Sequence, residues 1–364
     1  MKHFKTYLIL NYADWDVVKS SIPYIKENIK SDEIIVISSN KILDKDLCGC
    51  KFLDENEVLK TSCGLSYEAV KEYLISLNAL TKNTGWFFQQ FIKFGLCRIC
   101  TDDYYLVWDA DTIPMNPIPF FDKKGRPYFN LKREYFSSYF VTIKNLFGIK
   151  KRTKESFISE HMIFNSSVMR EMLDKIESNN NITGDSFWQK ILWASDLHAP
   201  DPLKVDQRFF SEFETYGTYC DTFYPHLYKK RKLRTLRCGI DFLGDNPAIE
   251  VMDWAAKDFD TISFEKWGVP VPEFIELTKD SAYRKTMPFG ASIKQFYKNK
   301  LHKNISDFNA LQNRTYFDFF FNKRPAYRRK FKIEDTIINT SWGLFLYRFK
   351  ESIKMKCRFV VFKF

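Results

Sequence analysis

The sequence predicts an α/β fold in which crossover helices connect the strands of a sheet, followed by a mostly helical, basic C-terminal extension. Strand-like and helix-like segments alternate through the first half of the chain, which is the pattern of such a sheet. The 364 residues are 45% hydrophobic and 17% aromatic, so the chain can bury a substantial core. From about Asp253 the pattern changes to helical stretches that follow a segment punctuated by proline and glycine.

Each element is predicted from a local pattern. Short apolar runs bounded by polar residues indicate strands, whereas apolar residues spaced three and four apart indicate helices. The predicted strands occupy residues 6–11, 33–38, 51–54, 104–108, 128–131 and 162–164. The predicted helices occupy residues 15–28, 66–77, 86–100, 167–176, 187–194, 292–300 and 335–354.

Two aspartates follow the apolar run at 104–108. Asp109 and Asp111 are separated by one residue, so on a strand both side chains would project to the same side. Two carboxylates at the edge of a core repel each other and are costly to desolvate, and a divalent cation that prefers oxygen ligands removes both costs. We therefore predict a magnesium or manganese site here. An aspartate after a strand is also a common turn former, and the triplet Asp-x-Asp alone is not specific.

The triplet Asp109-Ala110-Asp111 resembles the DxD motif of the GT-A glycosyltransferases, which use sugar nucleotides and a divalent metal. Three further segments resemble a bacterial family of surface-polysaccharide glycosyltransferases with that fold. These segments are GWFFQQFIK at 85–93, SEHMIF at 159–164 and FSEFETYG at 210–217. The resemblance covers about the first two thirds of the chain and fades beyond it.

The resemblance implies a Rossmann-like GT-A catalytic domain at residues 1–255, with a mixed central sheet flanked by helices. Residues 256–364 would form the extension, in contact with the acceptor or a membrane. The implied enzyme transfers a hexosyl or related sugar from a nucleoside diphosphate sugar, with UDP as the expected nucleotide and Mn2+ or Mg2+ as the cofactor. Its implied acceptor is a glycan, free or lipid-linked, in capsule or O-antigen biosynthesis.

A base for the acceptor hydroxyl is expected among three glutamates. Glu212 lies in the first turn of a predicted helix and has no structural explanation in the sequence, so it is the first choice. Glu214 follows Ser211 at the spacing of a capping box, which offers it a structural role, and it ranks second. Glu160 ranks third. A base at Glu212 favours an inverting reaction, although no feature of the sequence excludes retention.

Two residues in the loop after the first strand and two residues of the predicted helix at 86–100 are predicted to contact the donor. In the resembling family the loop after the first strand lies near the nucleotide, so Tyr12 would stack on the base and Asp14 would bind base or ribose hydroxyls. Asp14 could equally cap the following helix. Gln90 would bind the donor sugar, and Lys93 would stabilise the diphosphate unless it belongs to a solvated helix face.

Two histidines complete the predicted site. His161 is the expected substrate contact, because neighbours on a strand point to opposite faces and Glu160 and His161 cannot both face one site. His226 is the candidate for the late metal ligand that many GT-A enzymes add to their aspartates. Asp109 and Asp111 would supply the other protein ligands, and Asp109 would also contact the donor. A lone histidine is nevertheless more often structural.

Positive charge is concentrated in two parts of the chain. The net charge is +11, and residues 323–364 hold twelve Lys or Arg against three acids, which gives +9. Six basic residues among the nine at 229–237 could bind a diphosphate or lipid phosphates. The aromatic and basic segment 342–350 could contact an anionic membrane surface, or pack on the catalytic domain with its charges in water.

No apolar stretch is long enough to span a bilayer, and the run at 6–10 is too short for a signal peptide core. We expect a cytoplasmic protein that could bind peripherally to the inner face of the cytoplasmic membrane. Two other classes stay open: a nucleic-acid- or membrane-binding protein that uses the basic tail, and an inactive GT-A scaffold. A nucleic-acid partner is not expected because no binding module is visible. The intact Asp109 and Asp111 argue against an inactive scaffold.

Overall fold

The computed structural model of the protein describes residues 2–39, 42, 47–197, 207–265 and 268–301. Its strands are β1 (Phe4–Ile9), β2 (Glu33–Ser38), β3 (Lys51–Asp54), β4 (Tyr104–Asp109), β5 (Thr112–Pro114), β6 (Tyr128–Asn130), β7 (His161–Asn165), β8 (Lys229–Arg231), β9 (Thr235–Leu236) and β10 (Thr261–Ser263). Its helices are α1 (Trp15–Asn28), α2 (Lys60–Cys63), α3 (Tyr67–Ser76), α4 (Thr84–Gly95), α5 (Ser137–Phe147), α6 (Ser166–Glu177), α7 (Phe187–Ala194), α8 (Glu212–Phe223), α9 (Gly239–Leu243), α10 (Ile249–Ala256), α11 (Pro272–Lys279), α12 (Ser281–Thr286) and α13 (Phe289–Leu301).

A five-stranded sheet with the order β3-β2-β1-β4-β7 forms the centre of the molecule. The first four strands are parallel, and β7 runs antiparallel to β4. Strands β1, β2 and β4 are buried along most of their length, which explains why each reads as a continuous apolar run in the sequence. The predicted α/β class, with a mixed central sheet flanked by helices, is confirmed.

A second hydrophobic core surrounds a small sheet with the order β5-β10-β9. This core draws on residues between 236 and 293, together with Ile113 and Met115. Val17 and Tyr24 of α1 pack against it, so α1 joins the two cores. The predicted division between residues 255 and 256 falls inside α10, one of the helices of the second core.

Element boundaries differ modestly from the sequence predictions. Strand β1 begins at Phe4 and ends at Ile9, two residues before the predicted span 6–11. The predicted helix at 86–100 is divided, since α4 ends at Gly95 and residues 96–98 tighten into a 3-10 turn. The predicted helix at 335–354, the aromatic segment at 342–350 and the basic tail at 323–364 lie outside the described residues. Within the described residues, no helix combines the length and apolar character needed to cross a membrane.

Candidate active site

The candidate site lies at the carboxyl ends of β1 and β4. Strands β2 and β3 follow β1 along the chain and extend the sheet from one edge of β1, whereas β4 pairs with the other edge of β1. The strand order therefore reverses between β1 and β4. The register places Ile9 opposite Asp109. In open α/β sheets ligands bind in the crevice at such a reversal, outside the carboxyl ends of the strands. The turns that follow β1 and β4 therefore form the walls of a natural binding crevice.

Asp109 is the last residue of β4, and Asp111 lies in the turn that leads to β5. Burial, followed by the charges of Asp109 and Glu265, raises the pKa of Asp111 to about 7, while Arg237 opposes the shift. The two aspartates thus lie close enough for their charges to interact. Near neutral pH, Asp111 exchanges a proton where an ordinary aspartate would be fully ionised.

Lys93 joins two carboxylates beneath the crevice. Its Nζ lies 2.9 Å from Oδ1 of Asp109 and 2.7 Å from Oε1 of Glu212. Burial alone would lower the pKa of Lys93, but the two carboxylates raise it above its ordinary value. The ammonium group also lies 4.6 Å from the ring centre of Phe213. Lys93 is therefore a buried, charged member of the core and does not belong to a solvated helix face.

Helix α4 is fastened to the ends of both central strands. Gln89 Nε2 donates to the carbonyl oxygen of Ile9 at 2.8 Å, while Lys93, one turn further on, binds the end of β4. Gln90 binds the start of α8, where its Oε1 accepts from the main-chain N–H of Glu212 at 3.0 Å. The Gln90 amide also donates to the Trp86 carbonyl oxygen. Gln90 and Lys93 are both predicted to contact the donor. In the structure, the side chains of both residues are bonded to other groups of the protein.

Five further charged residues lie near Asp109, Asp111, Lys93 and Glu212. No sequence pattern connected these five residues with Asp109. Lys132 Nζ binds Glu160 at 2.9 Å, and Arg237 binds both Glu134 and Glu265. Burial lowers the pKa of Lys132, against the pull of Glu160. Arg237 lay within the basic run at 229–237, but no local signal marked Glu134 or Glu265.

Carboxylates outnumber cations within this connected network. The six acids are Asp109, Asp111, Glu134, Glu160, Glu212 and Glu265, and the three cations are Lys93, Lys132 and Arg237. Among the described residues, the acids of this network exceed its cations by three charges when all six acids are ionised. Because part of this surplus lies beside the half-buried Asp111, the cluster has the electrostatic character of a cation site.

Each of the three glutamates predicted as a base is buried and paired with a lysine. The pairs are Glu212 with Lys93 at 2.7 Å, Glu214 with Lys151 at 2.7 Å, and Glu160 with Lys132 at 2.9 Å. The expectation that Glu212 lacks a structural role is wrong, because its carboxylate is one of the two that neutralise Lys93. Sequence reasoning missed this role since Lys93 and Glu212 are 119 residues apart.

Glu214 anchors the segment that precedes β7. The Ser211 hydroxyl accepts from the Glu214 N–H, which is half of the predicted capping box. The side chain of Glu214 does not return to the cap; it accepts from Lys151, from the Ser156 hydroxyl and from the main-chain N–H of Phe157. Three donors around one fully buried carboxylate explain this residue structurally.

We expect Glu214→Gln to destabilise the protein by about 1–3 kcal/mol without a change in ligand affinity. The amide can still accept one hydrogen bond but leaves the Lys151 ammonium without its counter-charge. Urea unfolding measures the loss, and calorimetric titration of the folded variant measures the affinity. Unchanged stability with weakened ligand binding would contradict the structural role and restore Glu214 as a candidate base.

His161 lies on the face of the sheet opposite Asp109. It is only 3% exposed, and its ring stacks on Trp108 with centroids 4.7 Å apart and planes 14° apart. Burial, then the charges of Arg231 and Lys132, hold the pKa of His161 well below its usual range, so the ring is neutral. Glu160 and His161 face different surroundings, in agreement with the alternation expected along a strand.

The loop after β1 brings Tyr12 and Asp14 to the crevice. Tyr12 is 44% exposed and begins the short 3-10 helix Tyr12–Asp14, whose first turn is capped by the Asn11 side chain. Asp14 makes no side-chain capping bond to α1, so the capping explanation of Asp14 does not hold. Because Ile9 pairs with Asp109, this loop and the aspartates lie at the same edge of the sheet.

His226 lies far from the aspartates. It is exposed in the turn after the last residue of α8, whereas the first residue of that helix, Glu212, lies at Lys93. Twelve helical residues separate the two ends by roughly 17 Å at 1.5 Å per residue. Tyr228, two residues beyond His226, bonds the main-chain N–H of Asn165, which pairs with Tyr104 at the opposite end of β4. The structure does not bring His226 to the crevice.

The described residues do not form a site that could hold a metal ion through protein side chains alone. Among them, no group of three or more His, Cys, Asp or Glu side chains is arranged to hold a metal ion. Asp109 and Asp111 can still supply two carboxylates at the crevice. Magnesium is commonly bound in this way, by one or two carboxylates with substrate phosphates and water as the remaining ligands.

Three solved structures of glycosyltransferases align with most of the chain at low similarity. The bifunctional enzyme WbbM matches with a TM-score of 0.38 and 12% identity, covering 81% of this chain and 51% of its own. The galactosyltransferase LgtC, solved with donor and acceptor sugar analogues, matches with a TM-score of 0.36 and 10% identity, covering 78% and 100%. GlyE from Streptococcus pneumoniae TIGR4 matches with a TM-score of 0.34 and 9% identity, covering 82% and 64%. This chain thus spans about half of WbbM and under two thirds of GlyE.

Comparison with protein families gives a closer relationship. No curated protein matches the sequence. The model of DUF6492, a family of unknown function, matches residues 4–236. This segment runs from the first residue of β1 to the last residue of β9, so it contains the whole central sheet and the crevice. The chain belongs to the DUF6492 family.

Proposed function

We propose that this protein is a metal-dependent glycosyltransferase that uses a nucleoside diphosphate sugar. The observation that carries the proposal is the surplus of carboxylates around Asp111 at the crevice where the strand order reverses. A cation at this position would compensate the surplus, and the diphosphate of a nucleotide would complete its coordination. The resemblance of Asp109-Ala110-Asp111 to the DxD motif points to the same chemistry.

Asp109 and Asp111 would hold the metal, which when bound neutralises charge on the departing diphosphate. Lys93 and Glu212 position Asp109 from below, so we assign them to holding the site's geometry. Tyr12, whose ring is exposed, would stack on the base, and Asp14 would bind a hydroxyl. Glu212 as the catalytic base stays a prediction, and so does the inverting outcome that depended on it.

The finer assignments extend this proposal. We propose UDP as the nucleotide and a glycan, free or lipid-linked, as the acceptor in the biosynthesis of a bacterial surface polysaccharide. Residues 1–255 would carry the donor site, and the segment from 256 onward would contact the acceptor or an anionic membrane surface. These assignments come from the resemblance of the sequence motifs and from the charge distribution.

Calorimetric titration with UDP, GDP, CDP and ADP, each with Mn2+ and with a chelator, tests the proposal. We expect one nucleotide, UDP, to bind only when Mn2+ is present. Asp111→Asn should lose this binding. Asp174→Asn is its matched control, because Asp174 lies on α6, where it pairs with Arg98 away from the crevice. This variant should bind as the unmodified protein does.

Two results would change the proposal. Metal-dependent binding of another nucleotide would keep the reaction class and replace UDP. Absence of binding for all four nucleotides in the presence of Mn2+ would remove the donor site and with it the proposed function.

A further inference from the structure

Arg231 is a half-buried arginine whose guanidinium lacks a counter-charge. Its Nη1 donates to the carbonyl oxygen of Pro119. The Nε and Nη2 atoms are buried and have no hydrogen-bond partner, and no carboxylate of the described residues lies within ion-pair distance of them. Asp260 acts on Arg231 only from a greater distance and is itself paired with Arg234 at 2.6 Å.

Two further polar groups beside Arg231 are also unsatisfied. Asn130 is the register partner of Arg231 across β6 and β8, so the two side chains project to the same side. The Nδ2 of Asn130 is buried without a partner, as are both ring nitrogens of His161. The ring of Phe120 is a neighbour of both His161 and Arg231: its centre lies 5.7 Å from the His161 ring centre and 5.7 Å from the Arg231 guanidinium carbon.

These groups require an acceptor that the described part of the chain does not supply. Buried polar groups in proteins are nearly always hydrogen-bonded, and a buried charge is nearly always paired. The rings of Phe120 and Tyr128 offer Arg231 only cation–π contacts, at 5.7 Å and 4.9 Å. Water would satisfy the hydrogen bonds but leave the charge of Arg231 uncompensated, whereas an oxyanion would satisfy both.

We infer that Arg231, Asn130 and His161 bind a small oxyanion of the phosphate class. The guanidinium fork would donate through Nε and Nη2 to two oxygens of one anion, the geometry in which arginine binds phosphate most strongly. The Asn130 amide and a neutral His161 N–H would donate to the remaining oxygens. His161 pairs with Trp108 and so faces the side of the central sheet opposite Asp109, whereas Asn130 and Arg231 lie on β6 and β8. The site is therefore built from other side chains than the carboxylate cluster, which would repel an anion.

Thermal unfolding and calorimetry with sodium phosphate in a chelating buffer, against sodium chloride at equal ionic strength, test the inference. We expect phosphate to raise the melting temperature and to bind about tenfold or more weakly to Arg231→Met. Because Arg231→Met removes an unpaired charge, it should be at least as stable as the unmodified protein without phosphate. His161→Phe, which preserves the stacking on Trp108, should also weaken phosphate binding.

Lys229→Met is the matched control, since Lys229 is an exposed residue of the same strand, two positions away. It should keep the phosphate response, and so should Asp111→Asn, whose residue belongs to the other site. A response to glycerol phosphate as large as that to inorganic phosphate would show that the site accepts a phosphate ester, and a response to inorganic phosphate alone would assign it to the free anion. No response in the unmodified protein, or an equal response in Arg231→Met, would overturn the inference.

Discussion

Replacement of Asp111 by asparagine is expected to abolish metal-dependent nucleotide binding while stabilising the metal-free protein above pH 7. Burial and the neighbouring Asp109 and Glu265 raise the pKa of Asp111 to about 7, from an ordinary value near 3.9 in the unfolded chain. A raised carboxyl pKa contributes stability that is full in acid and is lost as the pH rises from about 4 through 7. Asparagine has no charge to desolvate and escapes this loss.

Urea unfolding at pH 5 and pH 8 in a chelating buffer measures this effect. We expect the unmodified protein to lose about 2–3 kcal/mol more than Asp111→Asn between the two pH values. Added Mn2+ should restore the stability of the unmodified protein at pH 8 and leave the variant unchanged, because a cation there would remove the repulsion. Parallel pH profiles for the two proteins would show that Asp111 is not held in a desolvated, carboxylate-rich position.

Replacement of Lys93 by methionine is expected to destabilise the protein by about 3–5 kcal/mol, since it leaves Asp109 and Glu212 beside each other without their shared cation. The double variant Lys93→Met/Glu212→Gln should recover part of that loss, because only one carboxylate then remains. Urea unfolding at pH 7 of the single and double variants gives this coupling.

Lys71→Met is the comparison, as Lys71 pairs with Glu68 on the surface of α3, where such a pair contributes little. A loss in Lys93→Met no larger than that in Lys71→Met would contradict the buried ion pairs. Failure of the double variant to recover stability would show that packing, not charge, accounts for the effect.

The sequence predicted elements whose signals are local. Strands β1, β2 and β4 are continuous apolar runs because they are buried on both faces, and α1 shows regular amphipathic spacing. The prediction missed β5 and β10, each of three residues, because their pairing joins segments about 150 residues apart and no local pattern encodes it. The prediction also missed helix α5.

The residues of the candidate site also divide into those with a local sequence signal and those without one. Asp109 and Asp111 were readable because they follow one another at the end of a strand. The partners of these aspartates come from distant segments: Lys93 from α4, Glu212 from α8, and Glu265 from the segment after β10. Residues four apart, such as Gln89 and Lys93, share one face of a helix, but the sequence could not show that this face of α4 is turned toward the ends of two strands.

The attachment of α4 to β1 and β4 also determines how the crevice can respond to a ligand. One hydrogen bond from Gln89 and one ion pair from Lys93 attach α4 to the paired ends of these two strands. The helix and the two strand ends therefore form one rigid frame. Any adjustment to a ligand must then come from the turns that follow β1 and β4, at residues 11–14 and 110–111. A frame that is set before the ligand arrives spares binding the entropy of ordering it. Selectivity would accordingly reside in the short turns, which can vary without disturbing the sheet.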